Sequence, residues 1–151
     1  VPLSKWKRIL SENKQKAAGI IVCIGGDDRI LIVRRSTSDE RHGQWTIPGG
    51  HIEEDDRSIE QGATRELFEE TGLACSTADL TYIGEPKPEK YYFWTVKWSG
   101  MVNVSNPNPK TGEIEHDNYK WAEISDIKDI ANTEIPIYLL EKALDMSKNV
   151  K

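Results

Sequence analysis

Arg65-Glu66-Leu67-Phe68-Glu69-Glu70-Thr71-Gly72-Leu73 is the stretch on which the fold and the chemistry of this 151-residue chain turn. It completes a segment that opens on Ser58 with Gln61 three residues later and closes on Gly72 followed by an apolar Leu73. The first pattern caps a helix N-terminus through a side-chain oxygen, and the second ends one in a left-handed turn. A helix from Ile59 to Thr71 is therefore predicted. Each helical residue advances about 100°, so Glu66, Glu69 and Glu70 share one arc. The same wheel carries Ile59 and Ala63, and it puts Glu66 and Glu70 beside the apolar stripe rather than opposite it.

Acidic runs on helices are ordinarily solvated. Here the carboxylates lie next to the core face, where like charges one turn apart cost more than the few tenths of a kcal/mol of an exposed pair. Two features answer that repulsion. Mg²⁺ or Mn²⁺ prefers carboxylate oxygen and keeps waters for a phosphate-bearing ligand. Arg65 offers a guanidinium able to hold a carboxylate by two points. The preceding Pro48-Gly49-Gly50 turn can also bring a bare backbone carbonyl to the helix.

Outward from this helix, Ala17 to Ile24 and Ile30 to Val33 read as two strands around a Gly25-Gly26-Asp27-Asp28 turn, a paired hairpin opening the domain. Arg34 to Gln44 is polar and reads as a loop leading to Trp45-Thr46-Ile47. Beyond the helix, Leu80 to Ile83, Tyr91 to Trp98 and Tyr119 to Trp121 read as strands, with Asn103 to Gly112 as a loop. Pro136 suits the first turn of a C-terminal helix that turns Ile137, Leu140, Leu144 and Met146 inward. Leu3 to Leu10 carries Leu3, Trp6, Ile9 and Leu10 at helical spacing, an N-terminal helical extension over residues 1–14. Strands interleaved with helices imply an α/β domain with a mixed sheet and helices on its faces.

The length suits one domain spanning residues 1–151. A net charge of -5 argues against nucleic acid or an anionic membrane as the partner, so a phosphate ligand needs locally placed cations. Cys23 and Cys75 form neither a disulfide framework nor a metal motif and read as reduced core residues. The longest apolar run is too short to span a membrane, and no signal pattern is present, so a cytoplasmic protein is expected.

The quoted stretch resembles the signature of the Nudix (MutT-like) hydrolase family: Gly, five residues, Glu, seven residues, then Arg-Glu-apolar-x-Glu-Glu-x-Gly-apolar. Residues 65 to 73 match the second half completely, and Gly50 supplies the opening glycine. Fourteen residues separate Gly50 from Arg65 where the pattern has thirteen, and the middle Glu is absent. Its place falls on Asp56 counted from Gly50 and on Arg57 counted back from Arg65. The extra residue is assigned to the loop Glu53 to Arg57, because lengthening the helix would turn its carboxylates away from the site.

The resemblance implies an α/β/α sandwich and a pyrophosphohydrolase. Its implied substrate is a nucleoside diphosphate derivative: a nucleoside triphosphate, an oxidised one, a dinucleoside polyphosphate, or a nucleotide sugar or cofactor. Carried over by position, Glu66, Glu69 and Glu70 are the metal-binding and base-supplying glutamates that activate a water, and Gly49 gives a carbonyl ligand to Mg²⁺ or Mn²⁺. Glu115 resembles a downstream acid that binds a metal or serves as base in place of Glu66. Gly50, Asp56, Arg65 and Gly72 support the motif. A non-catalytic nucleotide- or protein-binding module on the same fold is the alternative.

Among substrate-facing candidates, Arg34 and Arg35 offer charge for phosphate, and Trp45, Tyr92 and Trp94 offer rings for a base. His51 and His116 read as exposed histidines beside the motif, without metal-ligand spacing. The Trp6 segment is a candidate homodimer contact.

Overall fold

The structure, a computed structural model, describes residues 16–24, 28–36, 43–87, 91–98, 101–104, 109, 112, 114, 116–130 and 137–149. The expected N-terminal helix with Trp6, the tip of the first turn and Glu115 lie outside these residues.

Seven strands form one mixed sheet among the described residues. They are β1 (Ala17–Cys23), β2 (Ile30–Arg35), β3 (Trp45–Thr46), β4 (Gly49–His51), β5 (Thr81–Lys87), β6 (Tyr91–Lys97) and β7 (His116–Ala122). The described residues also form three α-helices, α1 (Ile59–Thr71), α2 (Ile124–Ile130) and α3 (Ile137–Asn149), and a 3-10 turn at Thr77–Asp79. All seven residues of β1 are buried, as expected of a central strand covered on both faces. It runs parallel to β6 from Ala17↔Tyr91 to Cys23↔Lys97.

Alternation along β1 makes two cores. Ala18, Ile20 and Val22 face Ala63 and Leu67 of α1, together with Leu31, Ile52, Leu73, Trp94 and Val96. Ile21 and Cys23 face the other way, against Leu139, Leu140, Ala143 and Leu144 of α3 and Ile127 of α2. The result is the expected sandwich, with a period of two in the strands meeting a period of 3.6 in the helices. Ile137 and Met146 flank the α3 core half-buried. Among the described residues no helix is long and apolar enough to cross a membrane.

The opening hairpin departs from expectation. β1 and β2 pair only at Cys23↔Ile30 and then part. β4 takes the vacated edge of β1 through Ala17↔His51, Ala18↔Gly50 and Gly19↔Gly49, and β3 takes that of β2 through Val33↔Thr46 and Arg34↔Trp45. The chain between them stays fastened, because the Pro48 carbonyl accepts the Ile20 N–H at 3.0 Å. This wedge lays the Gly49-Gly50 strand across α1.

Candidate active site

Helix α1 starts and stops where its sequence dictates. Ser58 accepts the Gln61 N–H at 3.1 Å, and Gly72, at φ 75°, closes the last turn with its N–H on the Phe68 carbonyl at 2.9 Å. With both ends fixed, the helix phase is fixed too. Phe68 is 54% exposed while Glu70 is 6% exposed, so the glutamate arc faces inward as the wheel predicts. The stretch Glu53 to Arg57, to which the extra residue of the motif is assigned, precedes the N-cap and lies outside the helix.

The glutamates meet β4. Glu70 Oε2 accepts the Gly49 N–H at 3.0 Å. The Glu66 carboxylate lies against Gly50 so closely that a Cβ there would stand 2.6 Å from Cδ and 2.8 Å from each oxygen. Any side chain at position 50 would displace Glu66, a physical reason for glycine at that position.

Arg65 ties the remaining acids together. Its Nε donates to Asp56 Oδ1 at 2.9 Å and its Nη2 to Asp56 Oδ2 at 3.0 Å and to the His51 carbonyl at 3.3 Å. Its Nη1 donates to Glu66 Oε1 at 3.0 Å and Glu69 Oε2 at 3.1 Å. A guanidinium has five N–H donors, and these five contacts occupy all of them. Glu53 Oε1 stands farther off, 3.7 Å from Nη1. Burial opposes the charge on Arg65, but its hydrogen bonds to Asp56 and the fields of Glu66, Asp56 and Glu69 outweigh it and push its pKa up. Lysine has neither the fork nor the donor count to replace it.

Asp56 thus stands beneath Arg65, its side chain 6% exposed, and accepts the Glu53 N–H at 2.8 Å as well. Gly62 admits it, because a Cβ there would come within 2.8 Å of Asp56 Oδ2 and 2.5 Å of the Ile52 methyl. Asp56, at the place of the absent motif Glu, is paired with the arginine of the motif.

Four carboxyl groups, of Glu53, Asp56, Glu66 and Glu69, surround or adjoin one guanidinium, and Glu70 is held on the Gly49 N–H. Among the described residues no three Asp, Glu, His or Cys side chains close into a metal-ligating set; Nη1 of Arg65 bridges Glu66 and Glu69. The donor chemistry nevertheless suits a hard divalent cation. Glu66, Glu69 and Glu70 offer carboxylate oxygen and the Gly49 backbone offers a carbonyl, with no nitrogen or sulfur ligand in the set.

The other candidates disperse. Arg34 is the next-to-last residue of β2, where Asp117 Oδ1 accepts from its Nε at 2.7 Å and its guanidinium lies 5.8 Å from the Trp45 ring centroid. Arg35 is half-buried beside it, its backbone bonded to Gly43 and Gln44. Trp94 is 5% exposed in the α1-side core, stacked on Tyr92 at 6.2 Å, so its ring packs and is not open to a base. Tyr92 is half-buried beside Ala18, whose other neighbour is Gly50. The expectation of two exposed histidines fails for His116, 2% exposed at the start of β7, where it pairs with Arg35. His51 is exposed and contributes its carbonyl. Both cysteines are free, Cys23 buried and Cys75 half-buried.

Sequence reasoning missed Gly62, Asp117 and Lys120, whose ammonium lies 5.2 Å from the Trp45 centroid. A signal existed for the first. Glycine inside a helix costs about 1 kcal/mol against alanine, so its presence implied a close approach.

The chain belongs to the NUDIX domain family, whose model matches residues 13–142. It is 36% identical over 110 residues to the mitochondrial Nudix hydrolase 15 of Arabidopsis thaliana, a match covering 68% of this chain and 39% of that protein. The chain therefore spans well under half the length of the plant relative. It is 28% identical over 128 residues to the asymmetrical bis(5'-nucleosyl)-tetraphosphatase of Caenorhabditis elegans, covering 78% and 85% of the two chains. A crystal structure of a C. elegans Ap4A hydrolase binary complex superposes with a TM-score of 0.62 at 26% identity, covering 87% of this chain and 97% of that one.

Proposed function

We propose that this chain hydrolyses a diphosphate bond in a nucleoside diphosphate derivative, with a divalent cation held by Glu66, Glu69, Glu70 and the Gly49 carbonyl. The observation that carries the reading is the seating of two glutamates of one helix, Glu66 and Glu70, against the bare Gly49-Gly50 backbone, where Glu66 fills the space a Cβ would need. The relationship to a tetraphosphatase supports a nucleotide substrate. Bound there, Mg²⁺ or Mn²⁺ would acidify a water and offset charge on the phosphoryl oxygens.

The chain's own residues do the rest. Arg65 and the Gly50 backbone fix the Glu66 carboxylate, which we assign as the acceptor of the attacking water's proton. The Gly49 N–H fixes Glu70, and Arg65 fixes Glu69, so these acids need little reorganisation to become ligands.

A hydrolysis screen over nucleotide classes with Mg²⁺ or Mn²⁺, run beside Glu69→Gln and Glu70→Gln, tests the proposal. Turnover of one class by wild type, reduced at least about a hundredfold in both variants, is expected for a catalytic ligand. Equally slow turnover of every class by all three proteins would overturn it, and tight nucleotide binding without turnover would identify a binding module. Thermal stabilisation by Mn²⁺ that disappears in the variants gives an independent readout.

A further inference from the structure

We propose that Arg34 and Lys120, carried on the ring of Trp45, form an anion subsite for a phosphate group of the substrate other than the one attacked; the assignment to substrate rests on the hydrolase reading above. Three strands build it. Arg34 pairs with Trp45 across β2 and β3, and Lys120 pairs with Ile32 across β2 and β7. Ile32 and Arg34 are two residues apart and so share a face of β2. Trp45, Arg34 and Lys120 therefore stand on one side of the sheet, over a wholly buried Ile32. To bring its ammonium within 5.2 Å of the indole, Lys120 must lay its stem across β2.

The indole holds two cations near each other, Arg34 at 5.8 Å and Lys120 at 5.2 Å from its centroid. Cations over a ring are attracted by its π face and take the surface a base would need. Trp45 is thus a holder of charge rather than a stacking platform. Asp117 accepts from Nε of Arg34, one of the five guanidinium donors, and so orients the group. Among the described residues no carboxylate pairs with Lys120. In a chain of net charge -5, whose catalytic helix is itself acidic, this pair supplies the local positive charge a polyanion requires.

Reach is adequate. Trp45 and Gly49 are four residues apart on an extended strap, at most about 13 Å at 3.3 Å per residue. Phosphates joined through a single bridging oxygen lie far closer together than this limit, so a substrate with a chain of several phosphates, rather than a bare diphosphate, is the class that would place one phosphate at the Gly49 end while another meets Arg34 and Lys120.

The test is titration with inorganic pyrophosphate in EDTA, so that no divalent ion draws the anion to the carboxylates. It is read by the Trp45 indole N–H resonance, assigned by its loss in Trp45→Phe. Saturable movement of that resonance is expected, weakened at least about fivefold in Arg34→Gln and in Lys120→Gln and falling with added salt. With the nucleotide identified by the screen, Lys120→Gln should raise KM about fivefold or more while kcat stays within about twofold, the pattern of lost uniform binding. Urea midpoints confirm that the variants fold. A silent Trp45 resonance, or unchanged pyrophosphate affinity in Lys120→Gln, overturns the subsite even if nucleotides are hydrolysed. Pyrophosphate binding at Trp45 in a protein that hydrolyses no nucleotide upholds the anion subsite and overturns the hydrolase reading.

Discussion

Replacing Asp56 by Ala strips Arg65 of two of its five hydrogen bonds and removes the acceptor of the Glu53 N–H. Hydrogen bonds to charged groups contribute about 1.5–3 kcal/mol each, and breaking a buried ion pair by deleting one partner costs about 3–5 kcal/mol. The Asp56 side chain is 6% exposed but that of Arg65 is 23% exposed, so water recovers part of the loss. A destabilisation of about 2–4 kcal/mol is expected, which moves a urea midpoint by about 1–2 M at an m-value near 2 kcal/mol/M. The loss should be specific to the pair. In a double-mutant cycle with Arg65→Ala, the coupling should be about 1.5–3 kcal/mol. Asp56→Glu should not restore stability, because the pocket under Gly62 has no room for a methylene. A change below about 0.5 kcal/mol in Asp56→Ala, or additive single variants, would refute the account of Asp56 as the holder of Arg65.

Gly62→Ala should destabilise by about 1–3 kcal/mol in urea melts, reversing the usual gain of alanine in a helix, since its Cβ would stand 2.5 Å from the Ile52 methyl. Gly50→Ala should push Glu66 from its seat and, by calorimetry, weaken Mn²⁺ binding at least about tenfold while the helix remains, as a displaced ligand should. Ser58→Ala should cost about 1 kcal/mol by the same urea measurement, the usual value of an N-cap oxygen. Burial pushes the Cys23 thiol above its ordinary 9.0, so the unfolded chain releases that proton first. Stability from this group is complete below pH 9 and falls above it, by at most about 1.4 kcal/mol per pH unit. Cys23→Ala should flatten that slope between pH 8 and 10, and an identical slope in the variant would count against the assignment.

Local patterns carried far in this chain. Helix α1 was legible to the residue because its caps, apolar spacing and glutamate phase all agree, and the strand runs of β1, β2 and β6 follow from their composition. What could not be read was which strands are neighbours. A parallel β1–β6 pair joins segments more than seventy residues apart, and the parting of β1 from β2 depends on β3 and β4, each too short to announce itself. Trp94 and Trp45 are both strand aromatics, yet one is core and the other carries cations, because only register decides which faces a helix and which faces Arg34 and Lys120. Asp56 is the same lesson at the site. Counting motif positions aligned it with a missing acid, whereas its partner is chosen by the turn that folds residues 53–58 back under α1.

Arg65 spends every N–H it has inside the protein. A group so committed cannot greet an incoming phosphate without letting go of an acid, and each acid it releases adds to the repulsion that phosphate meets. The arginine therefore acts as ballast, holding an acidic cradle together. If the divalent cation proposed above binds here, an enzyme balanced in this way would take its working state from the free ion in its surroundings and idle when that ion is scarce.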